Sequence, residues 1–337
     1  MKKSIDKNKY AESLRRVKAA REGKKTGNNC ENNNENLLRR IAILLVAGLA
    51  LAAASLWLLF GGEGGSIYKP TEEQTESTEK LQGNPGLTVS FIDVGQGACV
   101  LIVCDGKAML IDGGPDAKGT YIRRFLKNKG TEGLEYAVGT HFDADHVGGL
   151  DSVLYKYDCK KLMLPDYTKD SASYRNIFSV GAEKNMKTVH PKAGDVYALG
   201  GGSFTVIAPV NAGYEDENDY SIGLIFSYGE KKFIFTGDAT AFSEKEMLEN
   251  FDDLRADVLF VGHHGSSTST SEEFLEAVSP ETAVISCGAG NDYGHPHHQV
   301  LNRLEKAGIK VYRTDLNGTV TALCDGKNIV WQTEKEG

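Results

Sequence analysis

Residues 140–149 read Thr-His-Phe-Asp-Ala-Asp-His-Val-Gly-Gly, which puts His141, Asp143, Asp145 and His146 within six positions. The run Tyr136-Ala137-Val138 before them has strand character, and the residues from Leu150 onward suit a helix. A strand-to-helix loop is therefore expected here, where side chains at alternate positions converge on one point. Burying two carboxylates without a counter-charge costs about several kcal/mol each. The chain must then fold around a cation or leave the loop in solvent, and the rest of the sequence argues for the cation.

Three further segments end a strand-like run on a polar ligand type. Lys232 to Thr236 is followed by Gly237-Asp238, and Ala256 to Val261 by Gly262-His263-His264-Gly265-Ser266. Thr282 to Ser286 is followed, after a loop, by Gly294-His295-Pro296. Layered αβ folds place their sites just past strand ends. Of the eight histidines in the chain, seven fall in these clusters and only His190 lies outside them.

The order His-x-Asp-x-Asp-His, then Gly-Asp, then His-His-Gly-Ser resembles the metallo-β-lactamase superfamily. The particular form is similar to the extracytoplasmic domain of ComEC-type DNA-uptake proteins. Further matching segments are Phe91-Ile92-Asp93-Val94-Gly95-Gln96-Gly97, Met109 to Gly114, Asn218-Asp219-Tyr220-Ser221, Tyr293 to His297 and Thr314 to Gly318. Together they span roughly residues 87 to 332. The resemblance implies an αββα sandwich with two divalent metal ions, Mn²⁺ or Zn²⁺, at the sheet edges. It implies that His141 and Asp143 hold the first ion, Asp145 and His146 the second, and that Asp238 bridges them. One of His263 and His264 completes the second site; His264, nearer the Gly-Ser turn, is favoured. Asp112, Asn218 and Ser221 are implied as supports of the ligands, and Asp145 and His295 as the catalytic pair. His295 is open between metal ligand, phosphate binder and proton donor.

The sequence departs from the superfamily in three places. Asp143 stands where most members carry histidine, and the histidine usual before the Gly-Asp pair is replaced by the neighbourhood of Glu217, Asn218 and Asp219. Ala98 stands where the subgroup commonly has aspartate. The first site is thus oxygen-rich, which shifts preference from zinc toward manganese.

The N-terminus sets the expected location. Residues 1–40 form a basic, Asn-rich arm of net charge +7. Ile41 to Phe60 then runs twenty residues without a charge, the length of a membrane-spanning helix. Arg39 and Arg40 precede it, so the positive-inside rule places the arm in the cytoplasm and the rest outside the cell. A cleaved signal ending near Ala50-Leu51-Ala52 is the alternative, opposed by the long arm and by the apolar run continuing to Phe60. Residues 61–85, rich in Gly, Glu, Thr and Ser, read as a flexible tether of charge −3, leaving −12 on the domain from residue 86 to 337.

Apolar runs predict strands at Leu87–Val94, Cys99–Val103, Ala108–Ile111, Phe204–Ala208, Ile222–Tyr228, Lys232–Thr236, Val258–Val261, Ala283–Ser286, Lys310–Tyr312 and Val320–Leu323. Helical periodicity appears at Tyr121–Lys127, Ser243–Phe251, Ser271–Val278 and Val300–Ala307. This alternation is that of a mixed α/β layered domain.

Two clamped divalent ions can lower the pKa of a shared water and hold both attacking and leaving oxygens. The expected function is therefore a single-pass, outward-facing hydrolase of phosphodiesters, with DNA as the implied substrate and the DNA-uptake machinery as the implied partner. The acidic domain opposes tight, sequence-independent DNA binding. Two alternatives stand beside it. One is hydrolysis of another surface substrate, such as a phosphocholine ester, lactone or β-lactam. The other is a non-catalytic DNA-uptake partner with a degenerate site.

Overall fold

The computed structural model describes residues 85–336. The basic arm, the Ile41–Phe60 span and nearly all of the tether lie outside the described residues. Among the described residues no helix is long and apolar enough to cross a membrane.

Among the described residues, fifteen strands form two sheets. They are β1 (Leu87–Phe91), β2 (Val100–Cys104), β3 (Lys107–Ile111), β4 (Leu134–Val138), β5 (Cys159–Met163), β6 (Lys187–Val189), β7 (Val196–Leu199), β8 (Gly202–Ala208), β9 (Gly223–Tyr228), β10 (Lys231–Phe235), β11 (Val258–Phe260), β12 (Thr282–Ile285), β13 (Lys310–Arg313), β14 (Val320–Cys324) and β15 (Ile329–Thr333). One sheet runs β15-β14-β1-β2-β3-β4-β5-β6 and the other β13-β12-β11-β10-β9-β8-β7.

The continuous apolar runs follow from burial on both faces. Along β2, Val100 and Ile102 pack between the sheets while Leu101 packs outward under helices. Along β10, Phe233 and Phe235 face inward and Ile234 outward. Alternate side chains point to opposite faces of a strand, so a strand covered on both faces must be apolar at every position. Phe91 packs 5.3 Å from Phe260 and Tyr136 5.1 Å from Phe204, ring to ring, across the inter-sheet layer.

Helices cover the outer faces through residues spaced three and four apart. Ile122 and Leu126 of helix Gly119–Asn128, with Leu150, Val153 and Leu154 of helix Leu150–Lys156, close the first sheet. Met247, Phe274, Leu275, Val278, Val300 and Leu304 close the second. The layers are helix, sheet, sheet, helix, in agreement with the expected sandwich.

β3, β4 and β5 are parallel to one another, as are β10, β11 and β12. Asp112 follows β3, His141 follows β4, Asp238 follows β10, and His264 follows β11. The loop after His264 is braced from both sides. Buried Glu244 accepts from the amides of Thr270 and Ser271, and Arg303 donates to the carbonyls of Ser269 and Thr270.

Candidate metal centre

Asp112 is the anchor of the first half of the site. It is buried in a left-handed conformation (φ 58°), and its carboxylate accepts from the Thr140 amide and hydroxyl at 2.8 Å each and from His146 Nδ1 at 2.8 Å. The Thr140 hydroxyl, having given its proton to Asp112, can only accept from His141 Nδ1, which lies 3.2 Å away. On the other side, His264 Nδ1 donates to the Ser286 carbonyl at 3.0 Å. All three imidazoles therefore keep a proton on Nδ1 and turn Nε2, the nitrogen that would ligate a metal ion, inward. Fixing the far nitrogen in this way is how proteins orient metal-ligating histidines.

The inward atoms converge. His146 Nε2 lies 3.1 Å from His264 Nε2 and 3.1 Å from Asp238 Oδ1. Asp145 Oδ2 lies 3.2 Å from His264 Nε2. His141 Nε2 lies 3.8 Å from Asp238 Oδ2 and 3.9 Å from Asp143 Oδ2, is fully buried, and has no hydrogen-bond partner. Two groups are thus close enough to share an ion: His141, His146 and Asp238, and Asp145, His146 and His264. Nitrogen lone pairs facing carboxylates without donors repel one another unless a proton or a cation sits among them. The residues present fit divalent ions.

The protonation balance carries the same strain. Burial, helped by the charge of His146, pushes His141 down to about 4, leaving it neutral as a ligand must be. Burial would also lower His146, but Asp238 and Asp112 outweigh it and hold its pKa well above the usual value. Burial would raise the Asp238 carboxyl, yet His146 and His264 hold it well below the carboxylate range. A proton on His146 holds the place of a metal ion, and metal uptake should release it.

The site also demands unusual backbone. His263 and His264 both adopt left-handed conformations (φ 51° and 56°), at about 1–2 kcal/mol each. The twist separates them: His264 is buried in the cluster, whereas His263 is about a quarter exposed, its Nε2 3.5 Å from Asp238 Oδ2. Gly237 (φ 55°) wedges between Ser221 and Thr140, whose Cβ atoms would each stand 3.0 Å from any added Cβ. Ser221 Oγ accepts from the Asp238 amide at 3.1 Å, holding the carboxylate in place.

The remaining candidates lie around this centre. Asp143, half exposed, is paired with Lys169, which also reaches Glu217 at 2.5 Å. Burial would lower the Lys169 pKa, but these two carboxylates hold it above the usual lysine value. Asn218 lines the same open cleft of about 490 Å³ as Asp143, Lys169 and Glu217. Asp219 is turned away, accepting from the Thr240 amide and hydroxyl at 3.0 and 2.7 Å. His295 sits at the rim with its ring 5.6 Å from that of His263, and its buried Nδ1 has no partner. Burial, with the charges of His264 and His263, pushes it down to about 4. Asn291 pins the His295 backbone, accepting from its amide at 3.0 Å and donating to its carbonyl at 2.6 Å.

Several supports are absent from the sequence reading. Thr140, Lys169 and Ser286 have no local signature, since each acts through a partner distant in sequence, whereas Asn291 holds the backbone of nearby His295. The Gln96-Gly97 segment is a brace: Gly97 accepts from the Ser286 hydroxyl at 2.7 Å, and Ala98 donates to the Asp145 carbonyl at 3.1 Å. Ala98 is itself buried beside that backbone.

Because Asp112 orients His146 directly and His141 through Thr140, Asp112→Asn is expected to weaken metal binding by about 10- to 100-fold. Calorimetric titration of the metal-stripped protein measures this; an unchanged affinity would remove Asp112 from the orienting role.

Comparison with known proteins places this arrangement. Residues 92–289 match the metallo-beta-lactamase superfamily. ComE operon protein 3 of Bacillus subtilis is 33% identical over 250 residues, covering 69% of this chain and 32% of that protein. Recombination protein 2 of Haemophilus influenzae is 32% identical over 246 residues, covering 72% and 29%. Competence protein ComA of Neisseria gonorrhoeae is 31% identical over 282 residues, covering 83% and 37%. The chain thus spans about a third of the length of these relatives. Since the family match runs from Ile92 past Ser286, through more than half of the chain and every ligand-type residue up to His264, the protein belongs to the metallo-β-lactamase superfamily and is related to competence proteins.

Proposed function

We propose that this protein is a membrane-tethered, outward-facing phosphodiesterase that uses two divalent ions, with DNA as its substrate class. The observation that carries the reading is the convergence of three inward-turned Nε2 atoms with Asp145 and Asp238 at the ends of parallel strands. The likeness to competence proteins supports the choice of DNA.

In this reading His141 and Asp143 would hold one ion and Asp145, His146 and His264 the other, with Asp238 facing both sets of ligands. When bound, such a pair supplies Lewis acidity and an activated water for in-line displacement at phosphorus. The chain's own residues do the rest. Asp112 and Ser286 keep the imidazoles in the ligand tautomer, and Ser221 steers Asp238. His295, neutral at physiological pH, is suited to give an N–H to a phosphate oxygen rather than to act as proton donor. His263, on the exposed side of the turn, stays outside the ligand set.

The test is turnover by the purified protein of single-stranded DNA, double-stranded DNA and bis-p-nitrophenyl phosphate, with and without Mn²⁺. Metal-dependent cleavage of any of these is expected. Opening of lactones or β-lactams with no phosphodiester cleavage would overturn the reading, as would metal binding without any turnover.

The proposed topology has its own test. Protease added to intact cells should remove the domain beyond Phe60 and spare residues 1–40. A fully protected domain would reverse the orientation, and soluble protein beginning near Ala53 would point to cleavage instead of anchoring.

A further inference from the structure

Asp143 is a poor ligand by itself: half exposed, on a short turn, with one oxygen given to Lys169. Yet His141 Nε2 is fully buried, has no partner, and faces the other Asp143 oxygen at 3.9 Å. The first half of the centre therefore has a buried nitrogen aimed at it and an incomplete set of donors. Glu217 lies on the loop where the superfamily's usual histidine is missing, and its carboxylate meets Asp143 on a single ammonium, that of Lys169. Two carboxylates from separate loops drawn to one cation beside an unpartnered imidazole describe a cation position.

We propose that Glu217 is the replacement ligand of the first metal ion, and that the Lys169 ammonium holds this position until the ion displaces it. The inference rests on the two-ion reading above and names what completes its weaker half. Asp219, another acid of this loop, is buried and held through Oδ1 by the Thr240 amide and hydroxyl, and does not share the Lys169 ammonium. Glutamate adds a third oxygen-bearing carboxylate beside Asp143 and Asp238, a donor set suited to Mn²⁺ over Zn²⁺. A monovalent ammonium and a divalent ion cannot share the position, because like charges in contact at a partly buried site repel strongly, and the doubled charge of the ion doubles that repulsion. Lys169 is about a quarter exposed and has a path into the open cleft, where it would face an anionic substrate. The two ions should thus bind with unequal affinity: tightly at Asp145, His146 and His264, and more weakly at His141, Asp143 and Glu217.

The experiment is calorimetric titration of Mn²⁺ into the metal-stripped, detergent-solubilised full chain, with metal content checked by elemental analysis. Wild type should take up two ions in two steps. Glu217→Ala, at a half-exposed side chain that the fold can spare, should keep the tight step and lose about tenfold or more on the weak one. Lys169→Ala should strengthen the weak step by about tenfold or more, since its competitor is gone. Asn218→Ala should leave both steps unchanged. A Glu217→Ala variant that binds both ions as wild type does, or a Lys169→Ala variant with a weakened first site, overturns the inference alone. Loss of the weak step in Asn218→Ala rather than Glu217→Ala assigns the ligand to Asn218 and also overturns it. A wild-type chain that takes up no ion overturns the two-ion reading with it.

Discussion

Asp238→Ala is expected to release metal from both halves of the centre together. Its carboxylate lies within 4 Å of four imidazole nitrogens: 3.1 Å from His146, 3.5 Å from His263, 3.7 Å from His264 and 3.8 Å from His141. No other acid among the described residues faces so many. Its backbone is fixed by Gly237 and Ser221, so no neighbour can move in to replace it. Elemental analysis should find close to two ions in the wild type and close to none in the variant. Folding stability gives a second measure. At a hundred times the dissociation constant, one bound ion raises stability by about 2.7 kcal/mol. Mn²⁺ should therefore raise the wild-type melting temperature and leave that of the variant unmoved. Asp238→Asn, which keeps the volume and loses the charge, separates loss of ligation from loss of packing. Full metal content in Asp238→Ala would remove this residue from the bridging position.

The same geometry shows which parts of the protein could be read from sequence. His141, His146, Asp238 and His264 were legible because each follows an apolar strand, and most strands, β4 included, were legible because apolar side chains line both of their faces; β13, half-buried or exposed throughout, is an exception. β5 carries Lys160 and Lys161, while β6 and β7 are short and largely exposed, so no apolar run marks them. Helix Ala172–Glu183 buries only Ile177 and Gly181, too little for a periodic signal. The choice between His263 and His264 depends on two left-handed residues in succession, a backbone property that spacing cannot reveal. Lys169 was invisible for another reason: its role exists only where the loop after β5 meets the loop before β9. Asp112 was legible as a support of a histidine, but its hold on His141 passes through the Thr140 hydroxyl and needs three dimensions to be seen.

Phosphodiester cleavage should divide Asp145 from His295. Asp145 faces His264 Nε2 at 3.2 Å and is about a third exposed, so it borders both the buried cluster and the cleft where substrate would lie. Burial would raise its carboxyl, but the neighbouring imidazoles of His264 and His146 outweigh this and hold it below the usual carboxylate range. Asp145→Ala should therefore lose metal at the tighter position and lower Mn²⁺-supported cleavage at least about a thousandfold, roughly 4 kcal/mol of barrier. His295→Ala should keep both ions and lower turnover by roughly ten- to a hundredfold, the scale of one hydrogen bond to a charged group. The two variants thus differ in metal content as well as in rate, which a general loss of fold would not reproduce. The net charge of −12 on the domain adds a condition. Cleavage of DNA should be slow at low divalent concentration and rise as ions screen the repulsion, whereas that of bis-p-nitrophenyl phosphate, which is small and singly charged, should respond less. Equal dependence for both substrates would mean that the added ions act only by filling the centre. Metal loss in His295→Ala would make that residue a ligand, and undiminished cleavage in Asp145→Ala would exclude the buried cluster as the seat of the reaction.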